Sequence, residues 1–309
     1  MPYGRIEAHE RLQYTNSVLM VAQQTRDPFA GTVTDVNANG EAQDASDLYD
    51  AGEYSYGEDR SRRNPENPVT GDKRWLIRPP IIESGQYIDH EDKFDTARDP
   101  TSTFVTIHTR RVVRGKADRT LGIRKDASGL FRITDGGILG KSHSGKRPGA
   151  AVDLPSSQFV PVGTSGLTVA KLRDAILELR KNEFGMEADD QLYCAITAKQ
   201  IDDLLGIAET EGTAMTAFQK EQLMSGKPTV LLGMNWVLTN RLPMKDGSDT
   251  IRLCPIWSKA NIARGIWQDI KGDMWNDTSA KNKPYVHVGA YIDSVRLQDK
   301  GVVVLECQE

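Results

Sequence analysis

Cysteine is scarce in this sequence. Its 309 residues include three, Cys194, Cys254 and Cys307, widely spaced, odd in number and without a CxxC pair. That spacing argues against a disulfide framework and against a structural zinc site. The expectation is buried or free thiols in a reducing compartment. Long apolar runs are also missing: nothing approaches the roughly 18 residues of a membrane span. Met1 to Glu7 lack a signal-peptide hydrophobic stretch, so the chain is expected to stay in the cytoplasm where it is made, without a membrane partner. The net charge of −4 gives no reason to expect the whole surface to bind a polyanion.

The signatures of chemistry are equally thin. The five histidines, His9, His90, His108, His143 and His287, show neither HExxH nor paired-ligand spacing, and no GxSxG elbow occurs. Gly140-Lys141-Ser142-His143-Ser144-Gly145-Lys146 fits the first seven positions of the phosphate-cradling GxxxxGK[ST] loop. Its eighth position should hold magnesium through Ser or Thr but is Arg147. Pro148-Gly149 then blocks the helix whose N-terminus should face the phosphates, so the stretch is read as a flexible basic loop. Asp89-His90-Glu91-Asp92 with Asp95 lacks the alternating ligands and central Gly of a calcium loop and is read as a solvated acidic turn. A Cys194–His287 pair could form only in space; nothing local favours it. The five tryptophans, Trp75, Trp236, Trp257, Trp267 and Trp275, sit in strand-like runs and are assigned to packing. No enzyme, cofactor or metal site is expected.

What the chain does contain is sharp local contrast. Its length exceeds one small core and suggests two or three subdomains. Arg5 to Gln24 could hold a short helix, read as an arm. Between Asp35 and Asp59 lie eight acids and no Lys or Arg, with few large aliphatics. Such a segment buries too little apolar surface to offset its ordering entropy. It reads either as a disordered linker or as an extended loop that orders against a neighbouring subunit. Trp75-Leu76-Ile77 and Ile81-Ile82 flank Pro79-Pro80, which suits an edge strand or a bend. Asp99-Pro100 caps a helix running to Gly122 without a clean apolar stripe. From Phe104 to Lys125 this stretch carries Arg110, Arg111, Arg114, Lys116, Arg119, Arg124 and Lys125 against one acid, Asp118.

Later elements read more clearly. Residues 126–165 are loops with short strands at Phe131–Ile133 and Phe159–Val162. Val169, Leu172, Ile176 and Leu179 define a helix capped by Thr168 and ended by Gly185. Leu192, Cys194 and Ile196 alternate as a half-buried strand. Ala198–Leu205 predicts a helix stopped by Gly206, and Met215–Met224 another. Strands are expected at Thr229–Thr239, Ile251–Trp257, Gly265–Trp275, Tyr285–Leu297 and Val302–Cys307. The class is α+β, with no βαβ repeat.

Several segments carry a family resemblance. Ile88-Asp89-His90-Glu91-Asp92-Lys93, leading to Asp99-Pro100-Thr101-Ser102, resembles the approach to the long helix of tailed-phage major capsid proteins. Leu154-Pro155-Ser156-Ser157-Gln158 and Gly166-Leu167-Thr168-Val169-Ala170-Lys171-Leu172 resemble the stretch after that helix in the same family. Ala198 to Leu205, ending Asp203-Leu204-Leu205, is similar to a further segment, as are Gly226, Leu232-Gly233-Met234-Asn235-Trp236 and Thr239-Asn240-Arg241-Leu242-Pro243. Order and spacing hold from about residue 88 onward; residues 1–87 match only in layout.

The resemblance implies the Hong Kong 97-type capsid fold. Its parts would be an N-terminal arm (1–34), an extended E-loop (35–87), a peripheral domain with a long spine helix (88–165), an axial domain (166–264) and a return to the peripheral domain (265–309). It implies a shell subunit of a tailed double-stranded DNA phage, forming pentamers and hexamers of an icosahedral capsid in the host cytoplasm. Expected partners are a scaffolding protein, a portal, a decoration protein and packaged DNA bound without sequence preference. An encapsulin-like cellular shell around cargo is the alternative. The expected inter-subunit contact sets Asp44, Asp47, Tyr49, Asp50, Tyr54 and Tyr56 of the loop against Arg110, Arg111 and Arg114 of a neighbour's helix. The competing reading points those arginines at DNA.

Overall fold

In a computed structural model of the chain, the residues described are 8–49, 71–88, 100–145, 149–163, 166–187, 190–210 and 230–309. Helix α1 (Ala8–Gln24) leads to β1 (Thr34–Asn37). Strands β2 (Ala42–Tyr49) and β3 (Gly71–Ile77) pair as an antiparallel hairpin, and β4 (Ile82–Tyr87) comes next. Helix α2 (Pro100–Leu121) has 22 residues. Short strands β5 (Ile123–Lys125), β6 (Phe131–Ile133), β7 (Ser142–Ser144), β8 (Ala150–Val152) and β9 (Phe159–Val160) lie beyond it. Then come α3 (Val169–Lys181), β10 (Leu192–Ile196), α4 (Ala198–Thr210), β11 (Val230–Leu231) and β12 (Met234–Leu238). The chain ends in β13 (Ile251–Ser258), β14 (Ile262–Asp277), β15 (Lys283–Arg296) and β16 (Val302–Gln308).

Two sheets organise these elements. A four-stranded sheet runs β1-β14-β15-β4, and a six-stranded sheet runs β11-β12-β10-β13-β16-β9. The hairpin extends through β7 and β8 into a third sheet, β2-β3-β7-β8. Sheet membership crosses the expected segments. Of residues 265–309, β15 stays in the four-stranded sheet while β16 pairs along its length with β13. Strand β9, from 88–165, also joins the six-stranded sheet, and β1 and β4, from 35–87, join the four-stranded one.

Each sheet has its own core. Alternate residues Val286, Val288, Ala290 and Ile292 of β15 face α1 and α2, where they meet Tyr14, Val18, Val105, Val112 and Val113. Gly272 lets α1 settle onto β14, since a Cβ there would lie 2.5 Å from a Val18 methyl carbon. The larger core gathers Leu172, Ala175 and Leu179 of α3 with Cys194, Ile196, Leu253, Ile256, Val303 and Leu305. Leu172, Ala175, Ile176 and Leu179 are the buried apolar positions, as the spacing predicted, and the Thr168 side chain accepts from the Lys171 backbone N–H.

Several local expectations need correction. Helix α3 ends at Asn182, followed by Glu183 in the left-handed region, so Gly185 is not its cap. Gly206 does not stop α4, which continues to Thr210; an exposed glycine costs only about 1 kcal/mol relative to alanine, and flanking residues carry the helix through it. Strand β10 is not half-buried: Ala195 is as buried as Cys194 and Ile196, because a central strand is covered on both faces. Asp99, the Asp89–Asp95 turn and Met215–Met224 lie outside the described residues.

The missing stripe on α2 also has an explanation. One face is buried, but it includes His108, Thr109 and Thr120 among Val105, Val112, Val113 and Leu121. His108 Nδ1 lies 2.8 Å from Ser84 Oγ, and Thr120 donates to the Lys116 carbonyl. These bonds hold His108 and Thr120, while His108 Nε2 and Thr109 Oγ1 find no partner among the described residues; the buried polar positions blur the sequence pattern without exposing the face. Gly122, at φ 76°, ends the helix.

Candidate inter-subunit surface

Cross-strand pairing builds the hairpin, from Ala42 opposite Ile77 to Tyr49 opposite Gly71, with an irregularity between Asp44 and Ser46. Part of the acidic stretch, Ala42–Tyr49, is therefore a strand paired within a single chain. Composition missed this because the stabilising side chains lie on β3, beyond the acidic run. Leu76 is buried against Ala263 and Val295, and Trp75 donates from Nε1 to the Gly145 carbonyl at 2.8 Å. Gly140–Gly145 thus enters strand β7, and β8 comes where a phosphate-binding loop would need a helix. Asp44 accepts from Lys73 Nζ at 2.7 Å, so it is already paired inside the hairpin. Asp47 stands opposite Lys73 in register. Asp50, Tyr54 and Tyr56 lie outside the described residues.

The basic helix divides by face. Lys116 reaches Asp269 at 3.2 Å and Arg119 reaches Asp293 at 2.9 Å, both toward the sheet. Asp118 is held by Arg241, whose Nε lies 2.6 Å away. Arg110, Arg111 and Arg114 are exposed and make no ion pair among the described residues. Exposed Ile107 joins them at helical spacing, giving a stripe 107, 110, 111, 114. Sequence reading missed Ile107 because it was counted with the apolar residues, although its spacing to the arginines was readable. Arg124 and Lys125 are also exposed, on β5. Within one chain, the described hairpin acids and this stripe form no ion pair.

Burial shapes the neighbouring ionisation. It pushes the Asp293 carboxyl up to about 6 against the opposing pull of Arg119. It raises Asp118 despite Arg241. It lowers His108, and the Arg111 charge adds to that effect. Lys171, buried at the start of α3, is lowered by burial while its ammonium donates to the carbonyls of Val162, Gly166 and Glu306.

The Cys194–His287 pair does not form. Cys194 is buried in the six-stranded sheet, whereas His287 stands on the other sheet, 3.1 Å from Glu83. Register places Cys194, Cys254 and Cys307 on one face of β10, β13 and β16, all free and buried; burial raises Cys194, and a hydrogen bond to Cys307 raises Cys254. Among the described residues, no group of three or more His, Cys, Asp or Glu side chains could hold a metal ion. No described helix is long and apolar enough to cross a membrane. Trp236 and Trp257 are buried, and the Trp257 and Trp267 indoles donate to backbone carbonyls, as packing residues do.

A two-stranded hairpin, a long helix laid on a four-stranded sheet and a separate six-stranded sheet make up the Hong Kong 97-type phage capsid fold. The capsid of the cyanophage P-SCSP1u is similar, with a TM-score of 0.61 at 13% identity over 90% of this chain and 86% of that one. So is the capsid of a native GTA particle, with a TM-score of 0.63 at 14% identity over 92% of each chain. A virus-like particle from Pyrococcus furiosus gives a TM-score of 0.54 at 11% identity over 96% of this chain and 98% of that one. The chain belongs to a phage capsid protein family, whose model matches residues 6–309. It is a structural subunit of a phage capsid shell. No curated protein matches it.

Proposed function

We propose that the chain is the major capsid protein of a tailed double-stranded DNA phage, assembling as pentamers and hexamers into an icosahedral shell around the genome. One observation carries this reading: a single phage capsid family model spans residues 6–309. The hairpin and its tip act as the E-loop, α2 with the four-stranded sheet as the peripheral domain, and the six-stranded sheet as the axial domain. A scaffolding protein, a portal, a decoration protein and packaged DNA complete the assembly. Rings of one chain close into a shell, and many weak contacts make it stable.

In this reading the acidic hairpin lies against Arg110, Arg111 and Arg114 of the next subunit. Asp47, Asp50 and the tyrosines Tyr49, Tyr54 and Tyr56 carry the contact, because Lys73 already neutralises Asp44. Such charge pairing sets register and encounter rate more than affinity. The double variant Arg111→Glu/Arg114→Glu changes exposed residues, so the subunit's own stability should move by no more than about 0.5 kcal/mol. Shell formation should nevertheless be lost. Normal shells from that variant would refute the charge pairing. Electron microscopy of the chain beside its scaffold should show closed shells or five- and six-membered rings; a small oligomer that never assembles would overturn the capsid reading. Shells holding protein cargo instead of DNA would favour the encapsulin-like alternative.

A further inference from the structure

We propose that the root of the hairpin is a binding site for a small oxyanion, held by Arg74 and Ser142. Arg74, on β3, has only 7% of its side chain exposed and makes one ion pair among the described residues, from Nη2 to Asp299 at 2.9 Å. Its Nε and Nη1 are buried and find no acceptor among the described residues. Asp299 is shared. Its other oxygen accepts from Arg296 Nε at 2.6 Å. The remaining Arg296 nitrogens donate to the carbonyls of Ile138, Gly140 and Val152, which fill its hydrogen bonds without cancelling its charge. Two buried guanidiniums therefore rest on one carboxylate.

Among the described residues one positive charge is left over. Asp153 acts on Arg296 through space, but it is largely exposed and lies 3.7 Å from Lys141, which offsets it. Burial, and then the Arg74 charge, push the Arg296 guanidinium below its ordinary value. Ser142 supplies a further donor. Arg74 is opposite Ser144 in register, so Ser142, two residues along β7, leaves the sheet on the same side as Arg74. Its hydroxyl is buried and unpartnered. The Arg74 nitrogens Nε and Nη1 and the Ser142 hydroxyl thus lie on one side of the sheet, where a charge is uncompensated among the described residues. Water could satisfy the hydrogen bonds but not the charge; an oxyanion does both. Because the donors are buried, a free ion suits them and a phosphate within a nucleic-acid strand does not. The ion would bind beneath β3 and β7, fastening the hairpin to the end of β15.

The test uses the full chain as unassembled subunit, with inorganic phosphate as the probe and sodium chloride at matched ionic strength as control. Phosphate should raise the melting temperature saturably, and titration calorimetry should give one site per chain. Hydrogen exchange should slow in 42–49 and 71–77 but not in β12. Ser142→Ala should bind phosphate about tenfold more weakly, the ratio for one lost charge-assisted hydrogen bond, and Arg74→Met should not bind it. If Arg74→Met fails to fold, Ser142→Ala decides. Equal effects of phosphate and chloride, or unchanged binding by Ser142→Ala, would overturn the proposal. So would stabilisation by an oligothymidylate but not by inorganic phosphate.

Discussion

Replacing Arg264 by methionine would cut the tie between the segment after α1 and the start of β14. The Arg264 side chain is 2% exposed and makes three charge-assisted hydrogen bonds. Nη1 donates to Asp27 at 3.0 Å, Nη2 to one Asp35 oxygen at 2.9 Å, and Nε to the other. The substitution leaves Asp27, itself mostly buried, without its cation. Breaking a buried pair by removing one partner costs about 3–5 kcal/mol. Asp35 is nearly half exposed and recovers water, which places the expectation near the middle of that range. At about 2.1 cal/mol/K per residue, unfolding this chain as one unit carries about 0.65 kcal/mol/K, so a loss of about 4 kcal/mol lowers Tm by about 6 °C. Calorimetry of the unassembled subunit reads this directly. Adding Asp27→Asn and Asp35→Asn to Arg264→Met removes the stranded charges, so the triple variant should recover at least half of the loss. A Tm drop under about 2 °C for the single variant, or a triple variant worse than the single, would refute the reasoning.

Two further outcomes rest on the same structure. The folded-state value of Asp293, about 6, lies above its unfolded value, so folding favours its protonated form and the stability this gives falls as pH rises through about 6. From roughly pH 5 to pH 7 the chain should lose about 1.3 kcal/mol relative to Asp293→Asn, read as urea midpoints of both proteins; the opposing titration of His108 is common to both and cancels. Ile107→Ser should weaken shell assembly while leaving the subunit's melt unchanged, and shells forming at the normal concentration would show that no protein surface covers this residue.

The elements most legible in the sequence were those whose pattern is local. Helix α3 could be read from Leu172, Ile176 and Leu179 because one face meets one core, and strands β13 and β16 from continuous apolar runs. Where partners come from far along the chain, the pattern failed. The Ala42–Tyr49 strand looks unfoldable by composition because Trp75 and Leu76, which anchor its partner, lie outside the acidic window. Helix α2 looks faceless because His108 and Thr120 fill buried positions with hydrogen bonds that sequence cannot show. Arg74, Arg296 and Asp299 read as ordinary surface charges, since only the fold brings them together. The proposed contact surface was half legible: the arginines stood out by charge, but which of the seven basic residues face outward depends on acids in β14 and β15.

That division bears on what the stripe meets. Lys116 and Arg119 already have partners on the sheet, so among the described residues the unpaired positive charge of α2 is confined to Arg110, Arg111 and Arg114. A surface built only to hold a polyanion needs cations and gains nothing from an exposed isoleucine, because phosphate contacts are sequence-independent and electrostatic. A protein contact gains from both: the charges steer and the apolar side chain supplies about 1 kcal/mol or more on burial. Ile107, 41% exposed, sits one helical turn before Arg110 and Arg111. Its place in the stripe favours a neighbouring subunit's hairpin over packaged DNA, and salt then gives a clean separation. If the stripe meets a hairpin, raising salt should slow assembly of the chain while finished shells, held also by apolar burial, persist.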